Sequence, residues 1–144
     1  MTSGPKHILV AVDFTPHSSA AVDEAFLLAS KFAAKVHMLH VFTLQDKRES
    51  ELRSRGIGAL QHDEHGKLET MASARRGSGH LGEVVWCDGD PASQIVLTAK
   101  RLNADMIVVG ASGRSMLTRL RLGSVAEAVT RDAGCTVLVV RPPT

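Results

Sequence analysis

Five short runs rich in β-branched residues, each parted from the next by a longer polar or helix-periodic stretch, constrain this chain more than any other feature. The runs are His7 to Val12, Lys35 to Phe42, Glu83 to Cys87, Asp105 to Gly110 and Thr136 to Val140. Several are apolar nearly throughout and do not alternate, the pattern of strands covered on both faces of a parallel sheet. After the first run, Val22, Ala25, Phe26, Ala29, Phe32 and Ala33 recur at three- and four-residue spacing and paint one apolar helical stripe. Thr15 can cap that helix, with Pro16 in its first turn where a missing N–H costs nothing. Asp90 and Pro91 repeat the device ahead of Ala92, Ile95, Val96, Ala99 and Leu102. Ser124 and Glu127 have the spacing of a capping box with Ser124 as the N-cap.

Charge dominates residues 43–82, and glycines in RGIGAL and RRGSGHLG interrupt it. That composition predicts a mobile loop over about 43–66 and one helix near Asp63 to Arg75. The β-α-β-α-β-α-β-α-β order predicts an α/β fold, one domain over residues 1–144 with an open five-stranded parallel sheet and helices on both faces.

Composition removes several function classes. A chain 44% hydrophobic and 22% charged is too apolar for disorder. A net charge of +2 with one Trp, four Phe and no Tyr offers no stacking array, so no nucleic-acid partner is expected. No apolar run reaches the length of a membrane span, and the N-terminus lacks the long apolar core of a signal peptide. Cys87 and Cys135 lie far apart in or beside apolar runs, as buried free thiols of a reducing compartment. A cytoplasmic protein without a membrane partner is expected.

Ligands of open α/β sheets sit outside the carboxyl ends of the strands, where the strand order reverses. If the first and fourth strands flank that point, Asp13 and Gly110 face one crevice. Gly110 and Gly113 leave the fourth strand, and residues without a Cβ allow positive φ and close approach of backbone N–H groups. Gly123 and Ser124 open the last helix, whose first N–H groups are unpaired and whose dipole favours an anion. The two ends can clamp one phosphate chain. About three to five charge-assisted hydrogen bonds of roughly 1.5–3 kcal/mol, less the ordering of the loop, reach the ~8 kcal/mol of micromolar binding. Plainer readings stay open: Gly110 as a turn, Ser124 as a cap, Asp13 as an acceptor of backbone N–H groups, and Arg114, Arg119 and Arg121 as a solvated charge run.

The spacing Gly110-x2-Gly113-x9-Gly123-Ser124 resembles the ATP-binding signature of the universal stress protein family. The likeness extends over ILVAVDFTPHSSAAV, VHMLHV, GDPASQIV and ADMIVVGASGRSMLTRLRLGSVAEAVTRDAGCTVLVVR, and only Thr43 to about Gly82 carries little of it. The resemblance implies a Rossmann-like or flavodoxin-like sheet of order 3-2-1-4-5 with an adenine nucleotide at its carboxyl ends. It implies that Asp13 meets the ribose or a nucleotide-bound Mg2+, and that the backbone of Val41 holds the adenine edge. Gly110, Gly113, Gly123, Ser124 and the backbone of Val125 would hold ribose and phosphates, and Gly89 would border the ribose. Ala11, Val12, Thr15, Ser112 and Arg114 complete the expected cofactor-binding set; Thr15 stands where the family often has serine.

No P-loop GxxxxGK[ST] and no second acid accompany these loops, which favours holding ATP, or ADP or AMP, over turning it over quickly. The expected role is a nucleotide-dependent stress-response or signalling module, with at most slow ATP hydrolysis or autophosphorylation on Ser112 or Ser115. The rivals are a dimeric scaffold that binds no nucleotide and a flavodoxin-like electron carrier, for which the crevice loops offer only Phe14 and Phe42 as ring partners. His62 and His65 share a helix face without a third ligand, so no metal is expected there. The last strand, Thr136 to Val140, is an exposed template if it lies at a sheet edge, and antiparallel pairing across a two-fold axis would make a homodimer, as the resemblance also implies. The 43–66 region could select a protein partner that the sequence does not identify.

Overall fold

The computed structural model describes residues 4–111 and 122–142. Its elements run β1 (His7–Ala11), α1 (Pro16–Phe32), β2 (Lys35–Phe42), α2 (Glu49–Arg55), α3 (Ile57–Ser73), β3 (Leu81–Asp88), α4 (Pro91–Arg101), β4 (Met106–Gly110), α5 (Ser124–Asp132) and β5 (Thr136–Val140). All neighbouring strands pair parallel, in the expected order β3-β2-β1-β4-β5.

The period of two along each strand explains the unbroken apolar runs. Ile8, Val10, Val36, Met38 and Val108 project to one face, where Val22, Phe26 and Leu68 of α1 and α3 cover them. Leu9, Leu39, Ile107 and Val109 project to the other, against Ile95 and Ala99 of α4 and Ala126 and Val129 of α5. Each fully buried Val, Leu or Ile contributes roughly 1.5–3 kcal/mol of transfer free energy, and both faces of the central strands collect it.

Two of the three predicted helix starts match. Thr15 caps α1 by accepting from the Ser18 N–H, and Asp90 caps α4 by accepting from the Ser93 N–H, each with proline in the first turn. The third differs. Gly123, in extended conformation, is the N-cap of α5 and Ser124 is its first helical residue, so the capping box does not form. The apolar stripe of α1 also ends early: Ala33 turns to φ 55°, and Phe32 is left 39% exposed against Gly4.

The region from 43 to 82 departs most from expectation. Residues expected as a loop hold a 3-10 turn over Leu44–Asp46, then α2 and α3, and α3 begins at Ile57 instead of near Asp63. Gly58 and Gly66 lie within α3 with open space around them, while Gly56, at φ +83°, parts α2 from α3. Leu60, Leu68 and Ala72 are buried, and that buried stripe offsets the poor propensity of the glycines. Cys87 and Cys135 are free and half-buried rather than buried.

Candidate functional site

β1 and β4 are neighbours, and the chain winds outward from them in opposite directions, through β2 to β3 and to β5. A crevice of about 280 Å³ opens at this divide. Of the predicted set, Ala11, Val12, Asp13, Val41, Gly110, Gly123, Ser124 and Val125 line it. Thr15 is not among the lining residues and is bonded to Asp13. Gly89 lies in an adjoining cavity of about 400 Å³ with Phe42, Leu44, Ile57 and Gln61, and the two cavities share Thr43, Gln45 and Asp90. Ser112, Gly113 and Arg114 fall outside the described residues, as do Ser115, Arg119 and Arg121.

The turn from β1 into α1 is tightly latched. Asp13 Oδ1 accepts from the Thr15 N–H at 3.0 Å and the Thr15 hydroxyl at 2.5 Å. The Asp13 N–H donates to Ser18 Oγ at 3.2 Å, and Ser18 Oγ–H donates to the Thr15 carbonyl at 3.2 Å. Between them Phe14 sits at φ 64°, a left-handed conformation that a bulky side chain adopts only where its surroundings enforce it. The latch holds Asp13 at the crevice wall.

Gly110 is glycine for a different reason from the one its spacing suggests. Its φ is not positive. A Cβ there would lie 2.8 Å from the Cβ of His17 and 2.9 Å and 3.0 Å from its backbone carbon and oxygen, so the missing side chain lets the start of α1 pack on the end of β4. His17 itself is buried with both ring nitrogens unpartnered.

On the opposite wall α5 begins without a side-chain cap, and the Gly123 N–H is spent on the Ala111 carbonyl at 2.6 Å. The following N–H groups of its first turn have no intrahelical acceptor. Asp90 also borders the crevice, where its carboxyl is held below the ordinary range by the Ser93 N–H and hydroxyl.

Sequence reasoning missed Ser18, His40, Gln45 and Ile95, which line the same crevice. His40 had a usable signal, since it precedes Val41 at the carboxyl end of β2. Gln45 had none, because the segment holding it reads as a charged loop. Phe42 lines the adjoining cavity and Phe14 neither of the two. No group of three or more His, Cys, Asp or Glu able to hold a metal occurs among the described residues, and His65 is stacked on Trp86. Among the same residues, no helix is long and apolar enough to cross a membrane.

Fold and crevice together define an open parallel α/β protein with a crevice at its topological switch point. Residues 4–141 match the Universal stress protein family, and the chain belongs to that family. Universal stress protein MJ0531 of Methanocaldococcus jannaschii is 33% identical over 96% of this chain and 83% of its own length. The solved structure of the hypothetical protein MJ0577 superposes with a TM-score of 0.80 at 26% identity, covering 96% of this chain and 97% of that one. A universal stress protein solved in complex with cAMP shares the fold with a TM-score of 0.69 at 24% identity, over 96% of this chain and 98% of its own.

Proposed function

We propose that residues 1–144 act as one adenine-nucleotide-binding unit, a nucleotide-dependent module of the stress response. The observation that carries this reading is the pairing of the two crevice walls: a latched carboxylate on one side and an uncapped helix start on the other. A carboxylate suits a ribose hydroxyl, and unpaired N–H groups at a helix start suit phosphate. The backbone of Val41 would hold the adenine edge, while Ala11 and Val12 floor the site. The cAMP-bound relative lends support to an adenine ligand, with ATP, ADP and AMP as the candidates.

Where Mg2+ accompanies the nucleotide, Asp13 would supply a carboxylate ligand, and phosphate oxygens and water would supply others. Nothing in this set positions a nucleophile, so the chain holds its nucleotide with at most slow turnover. The free thiols suit a cytoplasmic setting. β5 is an edge strand, and antiparallel pairing of Thr136–Val140 with a second copy would cover it. Sedimentation at micromolar concentration tests that homodimer, and a clean monomer would remove it.

Calorimetry of ATP and AMP on nucleotide-stripped protein tests the main proposal, with Gly123→Val as the partner variant. Micromolar binding by the parent, lost in a variant that melts normally, is expected. No heat of binding from the parent would leave a dimeric scaffold as the better account.

A further inference from the structure

The segment with least family resemblance is wired to the crevice wall through three buried ionisable side chains. His40 is 3% exposed and lines the crevice. Its Nδ1 meets the Val12 carbonyl oxygen at 2.6 Å and its Nε2 meets Glu64 Oε1 of α3 at 2.6 Å. Lys47, in the turn before α2, places Nζ 2.6 Å from Glu64 Oε2. The side chains of His40, Glu64 and Lys47 are 4%, 9% and 5% exposed. Such a buried cluster is weak evidence for stability, since apolar groups of equal volume serve as well or better. Its geometry is better explained by position.

The Val12 carbonyl only accepts, so Nδ1 carries a hydrogen. Glu64 Oε1 at 2.6 Å from Nε2 also requires a proton between the two. Burial pushes the Glu64 carboxyl up, but hydrogen bonds from Lys47 and His40 outweigh burial and hold it below its ordinary range. His40 therefore bridges the Val12 carbonyl and the Glu64 carboxylate, with Lys47 on the far carboxylate oxygen. The rings of Phe14, at 4.5 Å, and Trp86, at 5.2 Å, confine it. Glu64 from α3 and Lys47 are the charged groups bonded in this cluster, and His65 of α3 lies one ring further out, stacked on Trp86.

We propose that His40 is a positioning residue that couples occupancy of the crevice to the docking of α3, by tying the Val12 carbonyl at the end of β1 to the Lys47-locked carboxylate of Glu64. The inference rests on the nucleotide reading above. A ligand resting on the end of β1 favours the backbone position in which the His40 bond is made, which holds α3. By thermodynamic reciprocity, breaking the tie at α3 weakens the ligand by the same factor.

The test has two arms. In unliganded protein, NMR should detect hydrogen-bonded protons between the His40 ring and both the Val12 carbonyl and the Glu64 carboxylate, and the signal toward residue 64 should change in Glu64→Gln while the one toward Val12 weakens. A parent that shows neither bonded proton overturns the cluster as described, whatever the ligand. In the second arm, hydrogen exchange is followed with and without ATP. Binding to the parent should slow exchange in α3 as well as around the crevice. In Glu64→Gln and Lys47→Met the crevice should still be protected, α3 should not, and affinity should fall about 5- to 150-fold. Lys47→Arg keeps the cation and should keep both effects. If Glu64→Gln fails to fold, the two Lys47 variants make the same comparison. Unchanged α3 protection and affinity in the charge-removing variants overturns the coupling while leaving the nucleotide reading intact, whereas a parent that binds no adenine nucleotide overturns both.

Discussion

Acid should loosen the β2–β3 edge at one identifiable point. Val36 pairs with Leu81 but Met38 pairs with Val84, so β3 carries one extra residue between them. In that bulge the Glu83 N–H donates to His37 Nδ1 at 2.9 Å, in place of a strand carbonyl. His37 Nε2 lies 3.2 Å from His7 Nδ1, and the rings stack at 5.4 Å. Gly82 makes room, since a Cβ there would lie 2.5 Å from the His37 ring. With Nδ1 accepting, the neutral ring carries its hydrogen on Nε2; a second proton on Nδ1 would confront the Glu83 N–H and break the staple. Burial, then His7 and Arg101, push the His37 pKa down, and Glu83 opposes them.

The sign follows from that direction. A folded pKa below the unfolded value of about 6.5 means that the unfolded chain binds the proton first, so the contribution of His37 is complete above that value and is lost as pH falls below it. One such group can remove at most about 1.4 kcal/mol per pH unit, hence about 1.4 kcal/mol by pH 5.5. Urea unfolding at pH 7.5 and pH 5.5 measures it, with His37→Gln as reference, because glutamine can accept the Glu83 N–H without titrating. The parent should lose up to about 1 kcal/mol more than the variant over this interval. Equal losses, or a His37 titration midpoint above 6.5 by NMR, would refute the reasoning.

Gly110→Ala should cost about 1–3 kcal/mol in urea unfolding, because the new Cβ meets the backbone of His17 and no flexible side-chain end can yield. Asp90→Ala removes the bonds to the Ser93 N–H and hydroxyl, at 3.0 Å and 2.8 Å, and should cost about 1 kcal/mol of stability by the same assay. Gly66→Ala, in the exposed middle of α3 with open space around it, should raise stability by about 0.5–1 kcal/mol. Gly56→Ala should lower it, since φ +83° is a conformation that alanine resists; thermal melts of this pair of variants would show opposite signs.

The sheet was legible because its strands are buried on both faces, which leaves an unbroken β-branched run that no helix or loop here imitates. Thr15-Pro16 and Asp90-Pro91 were legible because a capping oxygen followed by proline has few other uses. Residues 43–82 were not, and the reason is specific. Gly58 and Gly66 look like breaks in the sequence, yet each occupies an exposed helical position where glycine costs about 1 kcal/mol or less. Leu68 and Ala72 supply more than that by burial in the core beneath the sheet, a tertiary gain that local composition cannot display.

For the candidate site, spacing found the loops but misread part of the chemistry within them. Gly110 and Gly123 do line the crevice, but Gly110 answers to helix packing, and Gly123 takes the cap that Ser124 was expected to supply. Both substitutions of role have one physical cause: at a strand end facing a crevice, the backbone must satisfy its neighbours before it can face a ligand, and only the fold says which neighbours those are. Glu64 makes the same point from the other side. On sequence it is one more charge in an acidic and basic stretch, whose usual place is solvent. Buried between Lys47 and His40, it is the side chain through which a helix outside the family signature reaches the floor of the crevice.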